Sequence, residues 1–220
     1  MPLDAPTSEA REGRPSMTEH ARPATRIQAK NRAAILEAAL TVFSEKGYGG
    51  ATVQEIARAA NLSKANLLYY FPSKAAIYRA LLDSLLESWL APLRALDPAG
   101  EPREEILRYV RRKLEMSRAL PRESRLFAGE MLAGAPVMGE TLSGDLRALV
   151  DDKAAVIGAW AEAGRIAPVD PHHLIFAIWA LTQHYADFDV QVRAVLGGGR
   201  CPFDEADAFL SDLFTRLLRR

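Results

Sequence analysis

The chain has 220 residues, 49% of them apolar, and its 28 Lys and Arg are matched by 28 Asp and Glu. This length and composition suit a globular protein of one or two domains with a substantial core. No apolar run reaches the roughly 18 residues that span a bilayer, and the polar start lacks a signal-peptide core. We therefore expect a cytoplasmic protein with no membrane partner. The single cysteine excludes an internal disulfide and a CxxC metal site.

The charges are unevenly distributed although they sum to zero. Residues 1–80 hold 11 Lys and Arg against 7 Asp and Glu, whereas residues 81–220 hold 17 against 21. Because phosphate attraction depends on the contacting face and not on the total charge, the basic surplus favours a polyanionic partner for the N-terminal part.

Residues 1–28 are rich in Pro, Ala, Arg, Thr and Glu without apolar periodicity, which predicts a disordered tail. Basic residues at its end could follow a DNA groove or could simply be solvated, and both interpretations stay open. They are Arg22, Arg26, Lys30 and Arg32.

Two short capped helices are predicted between Thr52 and Lys74. Thr52 and Glu55 have the spacing of a capping box, which starts a helix. Ser63 can cap a second helix, and Pro72 ends it because proline has no amide donor. Two such helices joined by a tight turn are typical of a DNA-reading helix-turn-helix, although a helical hairpin that merely packs is the alternative.

Polar side chains on the second of these helices supply the chemistry for DNA contacts. Lys64 and Asn66 are candidates for base edges, whereas Tyr70 and Lys74 are expected to contact phosphates. The full set of predicted DNA-binding residues is Thr52, Ser63, Lys64, Asn66, Tyr69, Tyr70 and Lys74.

Here the chain resembles the TetR family of transcriptional regulators, because the recognition helix of that family ends in a run like LLYYFPSK, residues 67–74. Ala65 and Asn66 stand where the family commonly has Gly and Thr, so base preference does not transfer. The resemblance implies an N-terminal three-helix DNA-binding domain over 29–75. It also implies a C-terminal helical ligand-binding and dimerisation domain over 76–220.

The rest of the chain has helical periodicity and no strand pattern, so the predicted fold class is all-α. A long helix should run from Lys74 toward Leu90 and end by Pro92. Further helices are expected at 102–119, 122–132, 137–163, 171–195 and 204–218.

The predicted helix from Pro171 has apolar residues on more than one face, so both sides must be covered. One cover can be the core or a partner subunit, while Trp179 and Gln183 could line a cavity or be ordinary core. Stripes on this helix and the last one are candidates for self-association. The predicted dimerisation residues are Leu174, Ile178, Leu181, Leu210, Leu213 and Leu217.

Several longer segments resemble the uracil- and thymine-sensing branch of TetR regulators: 89–93, 124–136, 142–146 and 164–188. This resemblance implies a homodimeric repressor that leaves a near-palindromic operator when uracil or thymine binds. Trp89, Trp179 and Gln183 stand at matching positions; indole rings can stack on a base, and an amide can pair with an imide edge. Phe127 and Glu130 are further candidates for ligand contacts, although Glu130 could lie at a polar helix edge.

Other chemistry has little support in the sequence. The adjacent histidines 172 and 173 project about 100° apart on a helix, so we expect no metal. No nucleophile elbow, phosphate loop or zinc-protease motif occurs, and we expect no cofactor and no enzymatic activity. A ligand-responsive repressor is favoured over a DNA-binding protein without ligand input and over an enzyme that carries a helix-turn-helix.

Overall fold

The computed structural model describes residues 26–220, and this part of the chain is helical without any strand. The predicted all-α fold is confirmed. The first helix already begins at Arg26, and the remainder of the predicted disordered tail, with Arg22, lies outside the described residues. None of the helices in the described part is long and apolar enough to cross a membrane. In chain order they are α1 Arg26–Gly50, α2 Val53–Ala59, α3 Lys64–Tyr70, α4 Lys74–Arg94, α5 Pro102–Ala119, α6 Pro121–Leu132, α7 Gly139–Thr141, a π-helical turn Leu142–Leu146, α8 Arg147–Glu162, α9 Pro171–Asp187, α10 Asp189–Leu196 and α11 Pro202–Leu217.

Local capping sets the boundaries of the N-terminal helices as predicted. The Thr52 side chain accepts the Glu55 backbone N–H at 3.2 Å, and Glu55 accepts the Thr52 N–H at 3.0 Å, so the capping box is complete. Ser63 caps α3 by accepting the Asn66 N–H at 3.1 Å. Asn61 turns the chain between α2 and α3 with φ +55°, a left-handed conformation that asparagine tolerates.

Helix α4 joins two hydrophobic cores. Its first half packs with α1, α2 and α3, and Leu93 near its end packs with α5, α8, α9 and α11. The helix continues to Arg94, past Pro92, where we expected it to end. Proline removes one backbone hydrogen bond, but burial of Leu90 and Leu93 on either side of it offsets that loss.

Two predicted long helices are divided. The segment predicted as 137–163 contains the π-helical turn before α8, and the segment predicted as 171–195 breaks at Phe188 into α9 and α10. The first break contains Gly144, whereas the break at Phe188 carries neither the Pro nor the Gly that would mark it in a sequence. The expected Asp170 cap is confirmed, since its carboxylate accepts the His173 N–H at 3.0 Å.

The predicted dimerisation stripe points mostly into the protomer. Leu174, Ile178 and Leu210 are buried in the chain's own core, so they offer no surface to a partner and that part of the prediction is wrong. The physical reason is that a stripe at helical spacing marks the core face as readily as an interface. Leu181 and Leu213 are partly buried against the same core, and Leu217 is 46% exposed. Other apolar residues of α9, α10 and α11 are exposed: Phe176, Val190, Val195 and Phe209.

Candidate functional site

Helix α3 presents one polar face to solvent because its other face is anchored. Leu67 and the following Phe71 are fully buried, which fixes the rotation of this short helix about its axis. Lys64 and Asn66 are then exposed, and Tyr69 is 73% exposed. These are the side chains expected to reach DNA, and all three are exposed to solvent.

Other predicted DNA-binding residues are held by contacts within the chain. The Thr52 and Ser63 hydroxyls accept the helix-capping amides, and the Tyr70 hydroxyl accepts the Asn31 side-chain N–H at 2.8 Å. Arg32 lies over the Phe71 ring at 4.2 Å from its centroid. Such contacts orient the start of α1 against the end of α3, so these residues shape the surface that carries Lys64 and Asn66.

Lys74 is placed differently from our expectation. Its Nζ donates to the backbone oxygens of Tyr48 at 2.7 Å and of Ala51 at 2.9 Å, and it lies 4.5 Å from the Tyr48 ring centroid. The ammonium therefore satisfies carbonyls at the end of α1, where helical partners are lacking. In this structure Lys74 fastens α4 to α1, and a phosphate contact by its amine would compete with these bonds.

A cavity of about 630 Å³ lies in the C-terminal part, between α4, α5, α6, the π-helical turn and α9. Its walls are mainly apolar, with a few polar side chains that converge on the space. This is the usual composition of a small-molecule site. The lining residues include the predicted ligand contacts Trp89, Phe127, Trp179 and Gln183.

Trp89 forms one wall and is only 5% exposed. Its ring centroid lies 5.9 Å from that of Phe127, and the Lys113 Nζ lies 4.5 Å from the Trp89 centroid. The indole Nε1 is buried and has no hydrogen-bond partner within residues 26–220. A buried N–H without an acceptor costs free energy, so this atom is a polar group that the described residues leave unsatisfied in the wall of the cavity.

Trp179 and Gln183 stand one turn apart on α9 and both face the cavity. The Trp179 Nε1 donates to the Tyr109 hydroxyl at 2.5 Å, which fixes the orientation of the indole. The Gln183 amide makes no hydrogen bond to any described residue. Its donor and acceptor are thus free for a bound molecule.

Glu130 is absent from the cavity wall, contrary to its predicted ligand role. It is 4% exposed, and its carboxylate accepts the Val137 N–H at 2.6 Å, the Met138 N–H at 3.2 Å and the Tyr78 hydroxyl at 3.2 Å. Burial and the Glu130 charge raise the pKa of Tyr78 to about 12. The carboxylate has its partners inside the chain because it holds the segment after α6 against α4.

Three charged residues of the cavity were not predicted from the sequence: Lys113, Arg125 and Asp187. Lys113 could have been found, since it interrupts the apolar face of α5 formed by Tyr109, Val110 and Leu114. Asp187 follows Gln183 by one turn on the same face of α9. Burial raises the pKa of its carboxyl despite a hydrogen bond from Ser124 and nearby positive charges.

Comparison with known proteins agrees with this architecture. Residues 35–81 match the family model described as bacterial regulatory proteins, tetR family, and residues 82–220 match the C-terminal region of YcdC-like proteins. The chain is 54% identical over 171 residues to the HTH-type transcriptional regulator RutR of Escherichia coli K12. That match covers 78% of this chain and 80% of RutR.

Solved structures share the fold at lower identity. A putative transcriptional regulator, SCO4942 from Streptomyces coelicolor, superposes with a TM-score of 0.70 at 23% identity, over 86% of this chain and 99% of that one. AibR in complex with isovaleryl coenzyme A and operator DNA gives 0.60 at 21%, over 83% and 97%. Together with the RutR match and the two family models, these features establish the chain as a member of the tetR family of bacterial regulatory proteins, and so as a helix-turn-helix transcriptional regulator and not an enzyme.

Proposed function

We propose that this regulator is a repressor that a pyrimidine base, uracil or thymine, releases from its operator. The observation that carries the proposal is the cavity in which the Gln183 amide and the Trp89 Nε1 lack partners beside aromatic walls. The aromatic walls suit a flat ring, and the amide can donate to a ring carbonyl while it accepts from the ring imide N–H. The sequence resemblance to the pyrimidine-sensing branch supports the same ligand class.

Release would require the ligand to bind the DNA-free conformation more tightly than the DNA-bound one. Helix α4 supports such coupling, because Trp89 and Lys74 lie on the same helix and Lys74 fastens it to α1. Coupling of this kind typically weakens operator binding by about 5- to 150-fold.

The regulator is proposed to act as a homodimer on a near-palindromic operator. The exposed apolar residues Phe176, Phe209 and Leu217 of α9 and α11 are candidates for the interface. Two-fold symmetry would place the recognition helices in half-sites about 34 to 36 Å apart, or a multiple of that spacing. Light scattering at micromolar concentration and a footprint over both half-sites test this part.

Calorimetry with uracil and thymine tests the ligand, using wild type and Gln183→Leu. We expect heat with wild type and a loss of about 1 to 3 kcal/mol of binding free energy in the variant, because leucine leaves polar ring atoms without partners. Operator binding without ligand should be unchanged. Gln191→Leu, at an exposed position of α10 outside the cavity, is the matched control. No heat with either base would refute the proposal.

A second candidate is a repressor with a larger effector. A cavity of about 630 Å³ falls in the range that holds drug-sized molecules, well above the volume of a single base. AibR, a structural neighbour, was solved with isovaleryl coenzyme A. Displacement of bound uracil by acyl thioesters in the same calorimeter distinguishes the two candidates, and a regulator without ligand input would bind neither class.

A further inference from the structure

Lys113 is a buried cation that the fold itself does not neutralise. It lies on the core face of α5 and is 4% exposed. Within residues 26–220 its Nζ makes no hydrogen bond and no ion pair, and its close contact is the Trp89 ring at 4.5 Å from the centroid. A buried charge without hydrogen-bonding partners is costly, and an apolar residue at the same place would normally be more stable. Its presence therefore calls for a role other than stability.

Few other charges face this ammonium. Asp187 on α9 attracts it, and Arg125 on α6 lines the same cavity. Burial lowers the pKa of Lys113 to about 8, with Asp187 acting in the opposite direction. At neutral pH the side chain is mostly protonated, so it offers N–H donors to the cavity.

Two hydrogen-bond donors without acceptors among the described residues therefore lie close together, the Trp89 indole N–H and the Lys113 ammonium. The buried Nε1 of Trp89 lacks a partner, and the unpartnered ammonium lies over the ring of the same residue. Gln183 and Asp187 provide the acceptors elsewhere on the wall. A ligand that completes this set must present an oxygen acceptor toward α4 and α5, and it must present an N–H group with a neighbouring carbonyl toward Gln183 on α9.

We propose that Lys113 is a specificity-determining ligand contact whose ammonium donates a hydrogen bond to a ring carbonyl oxygen of the effector. This inference rests on the proposed function and deepens it: Gln183 on α9 pairs with the imide N–H and one carbonyl, and the second ring carbonyl is assigned to the α4 and α5 side of the cavity. Hydrogen bonds that involve a charged donor are stronger than neutral ones, so this contact should dominate affinity.

The test is calorimetry with uracil on the full chain, for wild type, Lys113→Met and the control Arg111→Met, which removes an exposed cation from the same helix. Lys113→Met should lose about 10- to 100-fold in affinity, the scale of a hydrogen bond to a charged group. Its melting temperature without ligand should be equal or higher, because a buried charge has gone. Arg111→Met should bind as wild type does.

The pH profile supplies a readout that a purely structural role would not change. Because the protonated lysine donates, wild-type affinity should be constant below about pH 7 and fall above the pKa, by about fourfold at pH 8.5. Measurements stop at pH 8.5, where uracil is still neutral. Lys113→Met should give a flat profile, and Lys113→Arg, which keeps the charge, should bind more tightly than Lys113→Met.

The outcomes separate this inference from the proposed function. If wild type binds uracil and Lys113→Met binds it equally at every pH, the contact with Lys113 is refuted and the pyrimidine proposal stands. If wild type gives no heat with uracil or thymine, both are overturned.

Discussion

Polar groups that support the DNA-reading helices and polar groups that line the cavity differ in whether they have hydrogen-bond partners within the chain. Around α2 and α3 the polar atoms of Thr52, Ser63 and Lys74 have partners within the chain. In the cavity, Trp89 Nε1 and the side chains of Lys113 and Gln183 have none among the described residues. Satisfied groups stabilise one arrangement, whereas unsatisfied ones leave binding energy available to a ligand.

Glu130 sharpens this comparison because its sequence neighbours Gly129 and Met131 line the cavity, whereas its own carboxylate is directed to partners within the chain. Glu130→Leu would leave the Tyr78 hydroxyl and the N–H groups of Val137 and Met138 without acceptors. We expect the free energy of unfolding to fall by about 3 kcal/mol, since each stranded buried donor costs about 1 to 3 kcal/mol and relaxation recovers part of it. Urea denaturation measures the loss.

Two controls bracket this effect. Tyr78→Phe removes one of the three bonds and should cost about 1 kcal/mol. Glu140→Leu changes an exposed carboxylate just beyond the segment and should stay within about 0.5 kcal/mol of wild type. Unchanged stability in Glu130→Leu, together with lost uracil binding, would mean that Glu130 contacts the ligand as the sequence suggested.

Two lysines of the DNA-reading region are expected to have different roles, Lys74 in stability and Lys64 in DNA contact. Lys74→Met should lower the free energy of unfolding by roughly 1 to 2 kcal/mol, because it removes two hydrogen bonds to backbone oxygens from a partly exposed ammonium. Lys64→Met should leave stability unchanged and alter the base preference of operator binding, because Lys64 is a candidate for a base edge. Denaturation and binding titrations against operator variants, at several salt concentrations, measure both.

The reverse pattern would break the comparison. If Lys74→Met kept the stability of wild type and made the salt dependence of operator binding shallower by about 0.9 in log–log slope, Lys74 would contact phosphate as the sequence suggested. The hydrogen bonds to Tyr48 and Ala51 would then exist only in the absence of DNA.

What the sequence could predict follows the range of the interactions. The capping box at Thr52, the Ser63 cap and the Asp170 cap each involve residues within three positions, so local pattern sufficed. The two-faced pattern of the helix from Pro171 allowed a cavity beside Trp179 and Gln183, whereas Trp89 and the ligand role of all three came from the family resemblance. The partners of Glu130 were missed because Tyr78 lies 52 residues away, and no spacing rule reaches that far.

Hydrophobic periodicity also could not distinguish a helix face in the core from a face at a subunit interface. The stripe at Leu174 and Ile178 repeats every four residues, but the same spacing describes a core face and a subunit interface. Lys113 was overlooked for the converse reason, since a lysine in an amphipathic helix is normally assigned to the solvent side. A cation within an apolar stripe is the signal that would have identified it.

The smallest expected effect concerns the capping box at low pH. Hydrogen bonds from Lys46 and then Thr52 lower the pKa of Glu55 to about 2, although the carboxylate is partly exposed. A pKa lowered by folding means that the stabilisation is present above the unfolded value near 4.5 and is lost as the pH falls toward 2. Carboxyl titration by NMR should find Glu55 ionised at pH 3.5, and Lys46→Ala should move its pKa upward. If Glu55 titrates near 4.5 in both proteins, the capping box is open in solution. Polar groups of the DNA-reading region would then lack the hydrogen-bond partners that distinguish this region from the cavity.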